Sequence, residues 1–162
     1  MVILGIDPGF TASGFGILKK EASNKIYLLD YGYLKMSSSK PLHERVGFFY
    51  DCFFEKIEKF EVTDISLETS FLGKNAQNFL KLGYLRGILY LLAAQKKLTL
   101  HEFAPREVKL AVTGFGGASK EQVSRVILQL FPKISSPEKA DVTDALAIML
   151  CGLWHTQRNF LR

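Results

Sequence analysis

Apolar positions at the start of the chain follow the spacing of β-strands. Residues 1–6, 13–20 and 25–36 are short apolar or alternating segments joined by short turns, which predicts three strands in an antiparallel meander. Two further apolar segments of strand length, residues 64–68 and 98–103, predict two buried strands later in the chain. The pattern therefore predicts five strands.

From residue 41 onward, apolar positions recur at helical spacing. The first such stripe comprises Leu42, Val46, Phe49, Phe53, Ile57 and Phe60. More helices are predicted over residues 75–96, from Pro105, from Ser119 to Phe131 and over residues 138–156. This order of elements fits an α/β fold, in which one five-stranded mixed sheet carries helices on both faces.

Composition supports one globular domain spanning residues 1–162. Hydrophobic residues make up 48% of the chain and charged residues 23%, which excludes collagen-like, disordered and disulfide-framework proteins. The chain has 21 Lys and Arg against 16 Asp and Glu, a formal charge of +5. This basic excess suits a polyanionic partner without identifying it.

Two features predict a cytoplasmic protein. The longest uncharged apolar run, residues 87–94, is far shorter than a bilayer span, which argues against secretion and membrane insertion. Cys52 and Cys151 stand singly within apolar helical patterns, without a CxxC motif. Such cysteines are typical of buried thiols in a reducing compartment.

Four acidic residues stand where strands end or a helix begins. Asp7 ends the first strand before Pro8 and Gly9, Glu68 ends the fourth strand, and Asp141 and Asp144 share one face of the last helix. Each signal alone also fits an ordinary role. Asp7 could cap a turn, Glu68 could mark the end of a strand, and the helical pair could be a common first-turn feature.

Together the four carboxylates predict a metal site. They can converge at one edge of the sheet, where two carboxylates about 4 Å apart repel by roughly 4 kcal/mol at an effective dielectric constant near 20. Such a cluster requires cations or raised pKa values, and hard oxygen ligands favour Mg²⁺ or Mn²⁺. A pair of such ions can hydrolyse a phosphodiester bond.

Four sequence blocks resemble the RuvC family of crossover junction endonucleases. They are GIDPG with SGFG at residues 5–16, LETSFLGKNAQNFLKLGYLRG at 67–87, FAPREVKLAVTGFGGASKEQV at 103–123 and KADVTDALAIML at 139–150. The resemblance implies a ribonuclease H-like fold. It also implies that Asp7, Glu68, Asp141 and Asp144 are catalytic residues that bind Mg²⁺, with two ions per subunit and Mn²⁺ as a substitute.

The same resemblance implies partners for the protein. Members of the family act as homodimers that cut two strands of like polarity across a four-way (Holliday) junction in recombination and repair, with RuvA and RuvB as branch-migration partners. The helix over residues 75–96 carries apolar residues on more than one face. It could build the dimer interface, but the pattern fits a central core helix equally well.

The matching blocks also contain candidate DNA contacts. We predict that Phe71 stacks on an unpaired base, although the sequence alone would also fit a buried phenylalanine. The basic candidates are Lys74, Arg86, Arg106, Lys109 and Lys120. Lys109 and Lys120 match functionally important lysines of the family, and the intervening glycines would let the backbone approach a phosphate.

Three other functions fit parts of the sequence. A different ribonuclease H-like nuclease, such as the YqgF type that processes ribosomal RNA precursors, would explain GIDPG but not the later blocks. An actin-like ATPase would need a second domain and a second phosphate loop. A junction-binding protein without catalysis would not need four acids.

Overall fold

The computed structural model describes residues 1–69, 76–134 and 140–159. It contains five strands and five helices in these ranges. The strands are β1 (Val2–Asp7), β2 (Ala12–Lys20), β3 (Ile26–Lys35), β4 (Asp64–Glu68) and β5 (Thr99–Phe103). The helices are α1 (Leu42–Phe60), α2 (Ala76–Lys96), α3 (Pro105–Thr113), α4 (Lys120–Leu130) and α5 (Ala140–Asn159).

All five strands form one mixed sheet in the order β3-β2-β1-β4-β5. Strand β1 pairs antiparallel with β2 and parallel with β4, while β2–β3 is antiparallel and β4–β5 is parallel. This confirms the predicted meander and the mixed sheet. Because β1 and β4 run in the same direction, their carboxyl ends lie at the same edge.

The sheet lies between two hydrophobic cores. Leu4 and Ile6 of β1 pack in one core with residues of α1 and α2, such as Phe49 and Leu89. Ile3 of β1 belongs to the other core, which includes residues of α3, α4 and α5. Successive side chains of a strand point to opposite faces, so β1 contributes to both cores. Helices on both faces of the sheet are confirmed.

Local signals define how the helices begin. Ser119 caps α4, because its hydroxyl accepts a hydrogen bond from the Gln122 N–H at 3.2 Å and its own N–H donates to Gln122 Oε1 at 2.8 Å. Pro105 opens α3 as predicted. Across the described ranges, none of the helices has the length and apolar character needed to span a bilayer.

Candidate active site

Asp7 lies at the carboxyl end of β1, and a side chain from β2 fixes the turn that follows it. The Ser13 hydroxyl accepts a hydrogen bond from the Gly9 N–H at 3.0 Å and lies 2.9 Å from the Gly9 carbonyl oxygen. Ser13 is fully buried. The turn after Asp7 is therefore closed by a hydroxyl group that cannot turn to solvent.

Glu68 ends β4, and two contacts hold the backbone there. The Thr69 N–H donates to the Phe103 carbonyl oxygen at 2.8 Å, and Arg86 of α2 donates to the Glu68 carbonyl oxygen. Because β4 is parallel to β1, Glu68 and Asp7 occupy the same edge of the sheet.

Asp141 and Asp144 stand in the first turns of α5, which packs closely on β2. Gly14 pairs with Asp7 in the sheet, and a Cβ at Gly14 would overlap the Asp141 carbonyl oxygen. Only a residue without a side chain allows the helix to come this close. Gly14 thus brings the start of α5 next to the end of β1.

The electrostatics show that the four carboxylates share one environment. The pKa of Asp7 is raised to about 7, first by burial and then by the negative charges of Asp144, Glu68 and Asp141. The pKa of Glu68 is also raised, by burial and then by Asp144. The structure therefore brings together the four acids that the sequence singled out.

Two lysines face the same acids. Glu68, Lys109, Lys120 and Asp144 line one small cleft of about 60 Å³. Lys120 Nζ donates to Asp144 Oδ2 at 2.7 Å, and this hydrogen bond raises the pKa of Lys120. The Lys120 side chain is otherwise exposed, so its ammonium group is open to an incoming anion.

The donor chemistry of this site fits Mg²⁺ or Mn²⁺, since it offers carboxylate oxygens and no thiolate or imidazole. Within the described residues, no three His, Cys, Asp or Glu side chains are arranged to hold one ion by themselves. Mg²⁺ is usually held by one or two carboxylates, and water and substrate phosphate complete its shell. The pKa values of Asp7 and Glu68 are raised partly by neighbouring negative charges, and a bound cation would relieve this repulsion.

The other predicted DNA contacts have different placements. Arg106 is exposed, and its side chain lies against Gly116 in the segment between α3 and α4. Phe71 and Lys74 lie outside the described residues.

The placement of Arg86 corrects its predicted contact with DNA. The residue is 8% exposed, and its guanidinium group donates to Glu102, to Tyr90 Oη and to the Glu68 carbonyl oxygen. The guanidinium group is therefore committed to protein partners and positions the end of β4.

Two residues that position the site were not assigned a role from the sequence. Ser13 and Gly14 both belong to the SGFG motif at residues 13–16, whose letters alone do not say what each residue contacts. Alternating glycines in a strand often mark the close approach of another backbone. The glycines at residues 14 and 16 carry that signal. The sequence does not show which backbone approaches, because Asp141 is more than 120 residues away in the chain.

The antiparallel meander, the two parallel strands and the carboxylates at the ends of β1 and β4 and on the last helix define a ribonuclease H-like nuclease. The model of the family described as "Crossover junction endodeoxyribonuclease RuvC" matches residues 3–152. This chain belongs to the RuvC family of crossover junction endodeoxyribonucleases. Nucleases of this family generally depend on a divalent metal ion.

Relatives and solved structures agree with this assignment. A crossover junction endodeoxyribonuclease RuvC from Chlorobium phaeobacteroides is 43% identical over 153 residues, which cover 94% of this chain and 81% of the relative. The RuvC structure from Thermus thermophilus has a TM-score of 0.86 at 28% identity and covers 98% of this chain and 97% of its own. The same protein in complex with a Holliday junction substrate has a TM-score of 0.85 at 26% identity and covers 98% and 96%.

Proposed function

We propose that this protein resolves four-way DNA junctions by symmetric, metal-dependent hydrolysis of phosphodiester bonds that leaves 5′-phosphate ends. The observation that carries the proposal is the shared environment of Asp7, Glu68, Asp141 and Asp144, which raises the pKa of Asp7 to about 7. A half-buried acidic cluster is costly for the folded protein unless it binds cations. Because the chain belongs to the RuvC family, we assign four-way junction DNA as its substrate.

The four acids are the proposed metal ligands. We assign two Mg²⁺ ions per subunit, with Mn²⁺ as a substitute. When bound, such ions activate a water molecule and stabilise the leaving oxygen of the phosphodiester. The chain itself contributes rigidity, because Asp7 and Glu68 stand on paired strands whose following backbone is held by Ser13, Thr69 and Arg86.

Lys109 and Lys120 are the proposed phosphate contacts. Both line the cleft that contains Glu68 and Asp144, so a scissile phosphate bound there would lie beside two positive charges. Lys120 neutralises Asp144 before substrate binds, since the two side chains form an ion pair. An ammonium group at this position can stabilise charge that develops on the phosphate.

We also propose that α2 forms a homodimer interface. One face of this helix carries exposed, uncharged residues at helical spacing, namely Ala76, Leu80, Tyr84, Gly87, Leu91 and Ala94. The space beside Gly83 and Gly87 is open, which would let a second helix approach. The opposite face of α2, including Leu85, Leu89 and Leu92, packs in the core. Helix α2 would thus act as a core helix through one face and as a dimer interface through the other.

Two further assignments rest on family membership. We propose that RuvA and RuvB cooperate with this protein at the junction, and that it acts in the cytoplasm. Cys52 and Cys151 are both thiols, which suits a reducing compartment.

The proposal is tested by comparing substrates. Purified protein is incubated with a synthetic four-way junction, a linear duplex of matched sequence and an RNA hairpin, each with Mg²⁺, Mn²⁺ or EDTA. We expect paired cuts with 5′-phosphate ends in the junction alone, and only with a metal ion. Preferential cleavage of the RNA hairpin would favour a YqgF-like nuclease instead.

Amide variants test the four acids. Asp7→Asn, Glu68→Gln, Asp141→Asn and Asp144→Asn remove a ligand charge and keep the shape, so cleavage should fall by orders of magnitude. Junction binding in EDTA should persist. Asp51→Asn, which changes an exposed acid on α1, is the matched control. An amide variant that cuts at the wild-type rate would remove that residue from the site.

A further inference from the structure

The segment between α3 and α4 presents an aromatic side chain to solvent. Phe115 is 64% exposed, the highest value among the exposed large hydrophobic side chains of the described residues. It follows Gly114, whose φ of 76° ends α3 in the left-handed region. An exposed phenylalanine is not unusual in itself, but its ring is available to stack on a planar ligand.

Hydrogen bonds fix the backbone that carries this ring. The Phe115 N–H donates to Thr113 Oγ1 at 3.1 Å, and the Ala118 N–H donates to the Phe115 carbonyl oxygen at 3.1 Å. The ring lies over Gly117, where an added Cβ would be 2.7 Å from ring Cζ. The ring therefore packs against the backbone of its own loop, while most of the residue remains exposed.

A mixed surface that includes a cation surrounds Phe115. The ring lines a cleft of about 250 Å³ with the polar Thr113 and Gln122, the cationic Arg125 and the apolar Ala118 and Val126. No carboxylate is found among the described residues that line this cleft. The Arg106 side chain packs on Gly116, next to Phe115 in the chain.

Arg125 lies between this cleft and the acidic site. It also lines a larger cleft of about 610 Å³, whose lining includes Lys120, Asp144 and a further carboxylate, Glu121. A strand with its phosphate at Lys120 could therefore continue along α4, past Arg125, to Phe115. An aromatic face between arginines suits a nucleic acid base, because the ring stacks on the base while the cations meet the backbone.

We infer that Phe115, Gln122 and Arg125 form a nucleobase subsite, in which the ring stacks on an unstacked base of the junction strand beyond the scissile phosphate. Arg125 binds the adjoining phosphate, and Gln122 can hydrogen-bond the base edge. We favour a nucleic acid over a protein partner because Arg125 also lines the cleft that contains Lys120 and Asp144, where the scissile phosphate is proposed to bind. The subsite rests on the proposed function, since it serves the same substrate.

The test uses junctions that carry 2-aminopurine at successive positions around the crossover, titrated in EDTA so that no cleavage occurs. Wild-type protein should change the fluorescence at a position beyond the scissile phosphate, where the base leaves the helical stack. Phe115→Ala should abolish the change at that position, leave any response at other positions intact, and weaken junction binding about 5- to 150-fold. Phe115→Tyr should retain both properties, whereas Phe115→Leu should lose the fluorescence change.

Matched variants separate this contact from other effects. Leu110→Ala removes a different exposed apolar side chain, which lies on α3 near Trp154 and His155. This variant should bind the junction like wild type. Phe115→Ala should leave the slope of log binding constant against log salt concentration unchanged. Arg125→Gln should reduce that slope by about one ion. Thermal unfolding of Phe115→Ala should match wild type because the ring is exposed.

The outcomes distinguish this inference from the proposed function. If wild-type protein bound the junction no better than linear duplex, the proposed function itself would fail. If wild type bound the junction selectively but Phe115→Ala bound it equally well, the nucleobase subsite would be wrong. Retention of the fluorescence change by Phe115→Leu would show that stacking does not occur.

Discussion

Burial and three neighbouring acids oppose the charge of Asp7. Its pKa is raised from 3.8 to about 7 by burial and by the other three acids. The folded protein therefore holds the Asp7 proton more tightly than the unfolded chain does. Stability contributed by this residue is full at low pH, falls as the pH rises from about 4 to about 7, and stays reduced above that range.

We predict that Asp7→Asn stabilises the metal-free protein at pH 8. The change removes a buried charge whose cost is at most roughly 4 kcal/mol, since one pKa unit corresponds to about 1.4 kcal/mol. The melting temperatures of both proteins should converge as the pH approaches 4. Added Mg²⁺ should raise the melting temperature of wild type at pH 8 but have little effect on the variant. A variant less stable than wild type at pH 8 in EDTA would contradict the electrostatic account.

Lys120 should affect the chemical step more than binding. We predict that Lys120→Met lowers the single-turnover cleavage rate about 100-fold or more, because a preorganised charge at the phosphate is lost. Junction binding in EDTA should weaken far less. Lys120→Arg tests geometry with the charge retained, and Lys133→Met, at an exposed lysine just after α4, is the control. Equal losses in rate and binding would assign Lys120 to binding alone.

At the level of elements, the site depends on how closely α5 packs on the sheet. Gly5 and Gly14 both leave room for this helix, because a Cβ at Gly5 would lie 2.5 Å from Met149 Cβ and one at Gly14 would overlap Asp141 backbone. The helix carries two of the four acids. The distance of α5 from β1 and β2 therefore determines whether bound metal ions could contact all four acids.

We predict that Gly14→Ala reduces metal affinity and cleavage by at least tenfold. The added methyl group must push the first turn of α5 away from Asp7, since the atom it meets is backbone and not a flexible side chain. Isothermal titration with Mg²⁺ measures the metal affinity, and circular dichroism checks that the fold persists. Gly47→Ala on α1, where a Cβ meets nothing within 4 Å, is the control. Unchanged affinity would show that α5 accommodates the methyl group.

The sequence predicted the elements well because their signals are local. The stripe of α1, the Ser119 cap and the five apolar strands each depend on neighbours within a few residues. Gly14 and Arg86 could not be interpreted in this way. The role of Gly14 depends on residue 141, and Arg86 became a positioning residue through Glu102 and Tyr90, so both roles exist only after distant elements have met.

For the whole molecule, the sheet separates the proposed dimer surface on α2 from the acids on α5. The face that packs against α1 and α2 leads to the uncharged outer surface of α2, and the face that packs against α5 leads to Asp141 and Asp144. Arg86 links the two, because it extends from α2 to the end of β4 beside the acids. A dimer formed through α2 would thus be connected by one side chain to the position of Glu68 in each subunit.

The proposed dimer would account for paired cleavage. Two equivalent sites related by a twofold axis can meet two equivalent strands of a four-way junction. We predict that Leu91→Glu, which places a charge within the uncharged face, converts the protein from dimer to monomer in light scattering. On a plasmid with an extruded cruciform, wild type should give linear product from two coupled cuts, and the variant should give mainly nicked circles.

The control for this prediction is Leu42→Glu on α1. Leu42 and Leu91 are both 45% exposed, so the two substitutions add the same charge at equally accessible positions, and neither should lower the melting temperature by much. Leu42→Glu should remain dimeric and make paired cuts. A dimeric Leu91→Glu protein, or a wild-type protein that is monomeric while it makes coupled cuts, would exclude α2 as the interface.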